Sequence, residues 1–315
     1  MTVRSPHPGD VVLLGPQADF AELTRTIADL GVRGRVALVT AGWQENETED
    51  EALQAAIGLP CVNLRLHALA EQVFEQEPQF AAASHQRQKH LQHLQEFYRM
   101  RLDAVDDVSR AIAVRHVDES LLYEQKHIAV GEMRYLDADH LLRCRGLWKE
   151  FDAAWTLERT PVLEQCREQI RSQLSDCDLL VVGGGHVMSL LNRLRLFDVL
   201  AMLGERPVVA WSAGAMAFTD RVVLFHDFPP FGKNLAQVLD DGLGACPGVV
   251  VLPDAARRVR LDDHDGIRRF AERMAPATCV AMDAGSRVHF RRGRIVAARA
   301  DRLTMGGGLE RRWCV

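Results

Sequence analysis

Ser212 is the residue whose surroundings best prepare it for chemistry. It follows the apolar run at 207–211 (PVVAW) and precedes Ala213-Gly214-Ala215, so a buried strand ends, a hydroxyl follows and small residues open a helix. That is the setting of a nucleophile elbow, in which a sharp turn lifts the serine oxygen above the sheet. Small neighbours are needed because Cβ atoms would collide in the turn, and a helix N-terminus favours developing negative charge. The pattern A-x-S-x-G is one residue off G-x-S-x-G, and the same residues also suit a strand-to-helix turn without chemistry. A second turn, Gly183-Gly184-Gly185-His186, ends another apolar run at 178–182 (DLLVV). Three glycines let backbone N–H groups face outward. An amide of Gly184 or Gly185, joined by that of Ala213, would make an oxyanion hole. A phosphate cradle is the alternative, but neither G-x-G-x-x-G nor G-x-x-x-x-G-K-S/T occurs.

Two such turns work together only if parallel strands bring them side by side, because ligands bind beyond the carboxyl ends of such strands. The apolar runs at 11–15, 35–40, 178–182, 207–211 and 248–252 predict those strands, and helical spacing predicts helices over 19–30, 163–174, 187–203 and 265–274. Short strands follow at 279–282, 287–291 and 294–298, with Arg292-Gly293 turning the last two into a hairpin. From 66 to 159 the rhythm breaks: one proline, two glycines and a composition of helix formers predict long helices. There Leu91, Leu94, Phe97, Tyr98, Arg101 and Leu102 follow i, i+3, i+4, i+7 spacing. The expected fold is α/β, a doubly wound, mostly parallel sheet with a helical insertion and a small antiparallel C-terminal part. Residues 1–65 and 160–315 would form the α/β domain and 66–159 the insertion.

The 315 residues carry 43 Asp and Glu against 38 Lys and Arg, with no basic block, which argues against a nucleic-acid partner. No apolar run approaches a membrane span, and the start MTVRSPHPGD lacks a leader's apolar stretch. Seven cysteines without a C-x-x-C pair suit reduced thiols, so a cytoplasmic location is expected. Most of the excess negative charge falls in the insertion, where 12 Lys and Arg face 16 Asp and Glu. The insertion also holds seven of the twelve histidines. His90-x-x-His93, Glu124-x-x-His127 and Asp137-x-x-His140 have the spacing of carboxylate-bridged metal sites. A metal bundle needs such motifs on separate helices, and the last two lie close enough in sequence for one helix to carry both, so solvated histidines are expected, and no metal. The insertion is expected to cap the cleft, exclude large substrates or form a homo-oligomer contact.

VVGGGHVMSLLNRL followed by PVVAWSAGAMAF resembles the peptidase E and cyanophycinase family of serine hydrolases. Matching segments at the front (VVLLG, RVALVTAG) and back (GLGACPGVVVLPD, CVAMDAGSRVHFRRGRI) extend the resemblance over most of the chain outside the insertion. It implies a class I glutamine amidotransferase-like, flavodoxin-like fold and a Ser–His–acid arrangement. Ser212 takes the nucleophile position, and Gly184, Gly185 and Ala213 take oxyanion and substrate-binding positions. His186 stands where the family often has Asn, Asp or Gln, which implies a substrate contact. The family's histidine falls just after the strand at 248–252, where this chain has Asp254. A serine without a base is a poor nucleophile. His226, close to the family's acid position, and His264, ten residues beyond Asp254, are the candidate replacements, with Asp227 as the acid. Each of these histidines also fits an ordinary surface loop. Two expectations follow: a hydrolase cleaving a small peptide or amide without a cofactor, or a catalytically silent homologue that binds a small molecule or a protein partner.

Overall fold

Apolar, β-branched runs without polar alternation can be buried on both faces, and here they form the central strands. In the computed structural model, which describes residues 8–225 and 235–313, β1 (Asp10–Leu14) passes through α1 (Ala21–Asp29) to β2 (Arg35–Val39), and α2 (Glu51–Ile57) leads to β3 (Cys61–Asn63). Three helices follow: α3 (Leu66–Gln76), α4 (Pro78–Ala113) and α5 (Glu119–Ala154). Alternation resumes with α6 (Pro161–Ser175), β4 (Cys177–Val182), α7 (Val187–Leu196), α8 (Val199–Met202), β5 (Val208–Trp211) and α9 (Ala213–Ala217). Then come β6 (Arg221–Leu224), β7 (Gln237–Asp241), β8 (Val249–Pro253), α10 (Ala255–Arg258) and α11 (His264–Met274). The last strands are β9 (Thr278–Met282), β10 (Arg287–Arg291), β11 (Arg294–Leu303) and β12 (Leu309–Trp313).

The sheet runs β3-β2-β4-β5-β1-β10-β11-β9-β8, with β12 on β11. Neighbours from β3 to β1 are parallel, β10 and β11 are antiparallel to theirs, and β8 pairs in parallel with β9. Successive residues of β1 feed opposite faces. Val12 and Leu14 pack with Leu23 and Leu53, whereas Val11 and Leu13 join Ile170 and Leu190 on the other side. The fold is therefore the expected doubly wound α/β sheet with a helical insertion and antiparallel strands at the C-terminal end. Two local expectations are corrected. The helix expected over 187–203 breaks after Leu196, because Asp198 turns left-handed (φ 51) before α8 begins; aspartate is among the few residues that tolerate this region. The last strand expected, 294–298, extends to Leu303 and pairs with β12.

Helices α4 and α5 are 36 residues each, about 54 Å at 1.5 Å per residue. They reverse at 114–118, where the Asp118 carboxylate caps α5 by accepting from the Ser120 and Leu121 amides. Tyr98 and Leu102 of α4, with Met133 and Leu136 of α5, belong to the same apolar core as one face of the sheet. A polar lock lies inside it. Arg273 of α11 donates to both carboxylate oxygens of Asp137 (2.8 and 2.7 Å), to the Ala236 carbonyl (2.8 Å) and to the Tyr98 hydroxyl (2.9 Å). Tyr98 in turn donates to Asp137 (2.7 Å) and accepts from the Val238 amide (3.1 Å). His140 stacks on the Tyr98 ring, centroids 4.4 Å apart, with Nε2 3.1 Å from the Leu239 carbonyl. The expectation of solvated histidines therefore fails at His140, which is buried. Among the described residues no three His, Cys, Asp or Glu side chains are grouped to hold a metal, and no helix is long and apolar enough to cross a membrane.

Candidate functional site

Four strand ends converge around β1. The Ser212 amide donates to the Leu14 carbonyl at the end of β1 (3.2 Å), and the Gly183 amide to the Val39 carbonyl at the end of β2 (2.8 Å). Gly15, just past β1, lies against the backbone carbonyl of Asp283, which follows β9. Beside it the Asp254 amide donates to the Met282 carbonyl (3.1 Å). The ends of β5, β4, β2 and the β8–β9 pair thus lie together along one edge of the sheet, and the space beyond them is the candidate crevice.

Ser212 sits between β5 and α9 with φ 51 and ψ −118. A non-glycine residue reaches this region only under strain, and α9 takes up the chain directly after it. Among the described residues its hydroxyl has no hydrogen-bond partner, so the oxygen is free to face a substrate. The glycine turn lies next to it. A methyl group built on Gly184 would come 3.0 Å from the Ser212 Cβ, so a larger residue there would press on Ser212. Gly185 has φ 106 and presses on the Gly42 carbonyl. The Gly183 and His186 amides are used, on Val39 and Gly42 (2.7 Å). The Gly184, Gly185 and Ala213 amides make no backbone bond among the described residues, so all three are unspent donors in the two turns that carry Gly184 and Ser212.

His186 caps α7, and its orientation is set by two residues that sequence reasoning missed. Its Nδ1 accepts from the Ser189 amide (3.1 Å) and lies 2.9 Å from the Ser189 hydroxyl, which itself accepts from Gln44 Nε2 (3.0 Å). With Nδ1 committed as acceptor, the proton of the neutral ring is on Nε2. His186 as held therefore offers the crevice an N–H and no basic lone pair, which suits contact with a substrate oxygen. Gln44 follows Gly42, itself just past β2; a strand ending in a glycine is the same signal that marks β4, though nothing in the sequence pointed to Gln44 itself.

The remaining candidates are dispersed. Asp254 ends β8 in a left-handed conformation (φ 58), its carboxylate 4.0 Å from Arg257 Nε. His264 starts α11 and is exposed, its Nδ1 2.7 Å from the Gly307 carbonyl between β11 and β12. No hydrogen bond joins it to Ser212. His226 and Asp227 lie outside the described residues. Burial pushes the Cys61 thiol up to about 11 and those of Cys144 and Cys279 up to about 12, so these cysteines are not competing nucleophiles.

No family model and no curated protein matches the chain. Among solved structures it is similar to a peptidase from an acI-B1 Actinobacterium, at 12% identity over 97% of this chain and 94% of that one, with a TM-score of 0.42. It is also similar to a protein of Listeria monocytogenes EGD-e described as a candidate peptidase E, at 12% identity over 94% of this chain and 99% of that one, with a TM-score of 0.43. At this level the likeness assigns no residue a role.

Proposed function

We propose that the crevice is the active site of a serine hydrolase, related to peptidase E and cyanophycinase, that cleaves a small peptide or amide. The carrying observation is Ser212, held at φ 51 between β5 and α9 with an unpartnered hydroxyl, its Cβ against the Gly184 turn. In this reading Ser212 Oγ attacks the carbonyl carbon and its proton passes to a base. The oxyanion is held by the three amides while His186 Nε2–H contacts the substrate. The amine leaves carrying a proton, and water then hydrolyses the acyl-serine. His226, with Asp227, or His264 takes the role of base. Asp254 closes the crevice at the β8 end and contacts substrate.

A second reading, a silent homologue that binds a small molecule or a protein partner through the same crevice, is favoured by one observation. Among the described residues no histidine nitrogen is bonded to Ser212. A serine-directed fluorophosphonate separates the two. The hydrolase reading expects labelling of the native protein that disappears in Ser212→Ala and falls steeply in either His226→Ala or His264→Ala, which identifies the base. Native protein that stays unlabelled would support the silent reading, and Ser212→Ala that labels equally would remove Ser212 as the nucleophile.

A further inference from the structure

We infer that the outward face of the α4–α5 hairpin binds a second copy of this chain. The spacing that led Phe97 to be grouped with Tyr98 splits in the structure: Tyr98 is buried, whereas Phe97 is 63% exposed. Phe97 is not isolated. Of the thirteen large apolar side chains most exposed among the described residues, ten lie between positions 97 and 142.

On α5 they form a line. Leu121, Ile128, Tyr135 and Leu142 recur every seven residues, 47–71% exposed, on the side opposite the buried Met133 and Asp137. Gly131 and Ala138 lie between them on the same stripe. A surface helix anchored on one face needs no second apolar stripe, and a strict seven-residue interval is the register of helices that pair with helices. Small residues between large ones let a facing helix approach. On α4 the line is continued by Phe97, Met100 and Val108. An open groove of about 660 Å³ lies between the two helices, with Ala104, Ile128, Gly131 and Tyr135 in its walls.

Two features select a second copy as the occupant. The first is area. Applying the observed exposures of these seven side chains to areas of ~150–250 Å² each gives roughly 600–1,000 Å² of surface, a range that brackets the ~800 Å² each partner contributes to a standard interface. The second is symmetry. Asp139, beside the stripe on the α4 side, is bridged within its own copy by Arg101 and Arg143, so its charge is already paired. A twofold axis along the helices sets Tyr135 against Tyr135 and the apolar stripe of one copy against that of the other. The face is self-complementary under that operation, and the two hairpins close a four-helix bundle.

The test is mass in solution. Light scattering and sedimentation of the full chain at micromolar concentration are expected to give twice 35.2 kDa. Ile128→Glu and Tyr135→Glu, both at exposed positions, are expected to weaken association at least 100-fold while circular dichroism keeps its helical signal. Tyr135→Cys, under a mild oxidant, is expected to cross-link to a covalent dimer that wild type does not form. A wild-type monomer at 100 µM overturns the inference, as does a dimer indifferent to both glutamates, or a monomer that instead sediments with phosphatidylcholine vesicles.

Discussion

Arg273→Leu is expected to lower the free energy of unfolding by about 3–5 kcal/mol, read as a lower urea midpoint at unchanged slope. The side chains of Arg273 and Asp137 are 2% and 3% exposed. Removing the guanidinium leaves a carboxylate in an apolar core with only the Tyr98 hydroxyl as donor. It also strips the Ala236 carbonyl of its partner. The double replacement Asp137→Leu with Arg273→Leu is expected to be less destabilised than Arg273→Leu alone, because neither charge is then stranded. Tyr98→Phe should cost about 1–3 kcal/mol, since it deprives the Val238 amide of its acceptor. A single replacement of Arg273 that costs under about 1 kcal/mol would show that this cluster does not hold the insertion to the sheet domain.

Gly185→Ala is expected to slow fluorophosphonate labelling of Ser212 by about 10²–10³, the loss typical of one displaced oxyanion donor. The reason is backbone geometry. A methyl group at φ 106 is strained, and it would meet the Gly42 carbonyl well inside 3.0 Å, so the turn carrying the Gly184 and Gly185 amides must move. Gly146→Ala is the control: it lies in α5 with open space around its Cβ, so labelling should match wild type. Equal labelling rates in both variants would remove the Gly184–Gly185 turn from the proposed chemistry.

What could be read from sequence was what is local. The strand–turn–helix settings of Ser212 and of the triple glycine were legible because a strand, a turn residue and a helix start occupy fewer than ten consecutive positions. Each of those steps has its own residue chemistry. The helical character of 66–159 was legible from composition alone. What escaped is what distant residues decide. Asp137-x-x-His140 reads as a ligand pair until Arg273, 136 positions later, claims the carboxylate. His186 can be placed in the turn, but the nitrogen it shows the crevice depends on Gln44, 145 positions from Ser189. Strand order was equally out of reach: β1 lies between β5 and β10, and no local pattern pairs residues 10–14 with 287–291. The pair β6–β7 was missed because Arg221–Leu224 and Gln237–Asp241 are short and partly polar, carrying too weak an alternation.

The same lock has a meaning for how the protein is made. A ribosome adding about 5–20 residues per second needs roughly 7–27 s to go from Asp137 to Arg273. For the part of that interval after the α4–α5 hairpin has cleared the ribosome, it has a carboxylate on its inner face and no cation to meet it. It also lacks β7, whose Val238 amide and Leu239 carbonyl hold Tyr98 and His140. The nascent hairpin therefore exposes an inner apolar face that waits for the C-terminal third of its own chain. Docking of the insertion is complete only when Arg273 arrives, so the last part of the chain to be made secures one of the earlier ones.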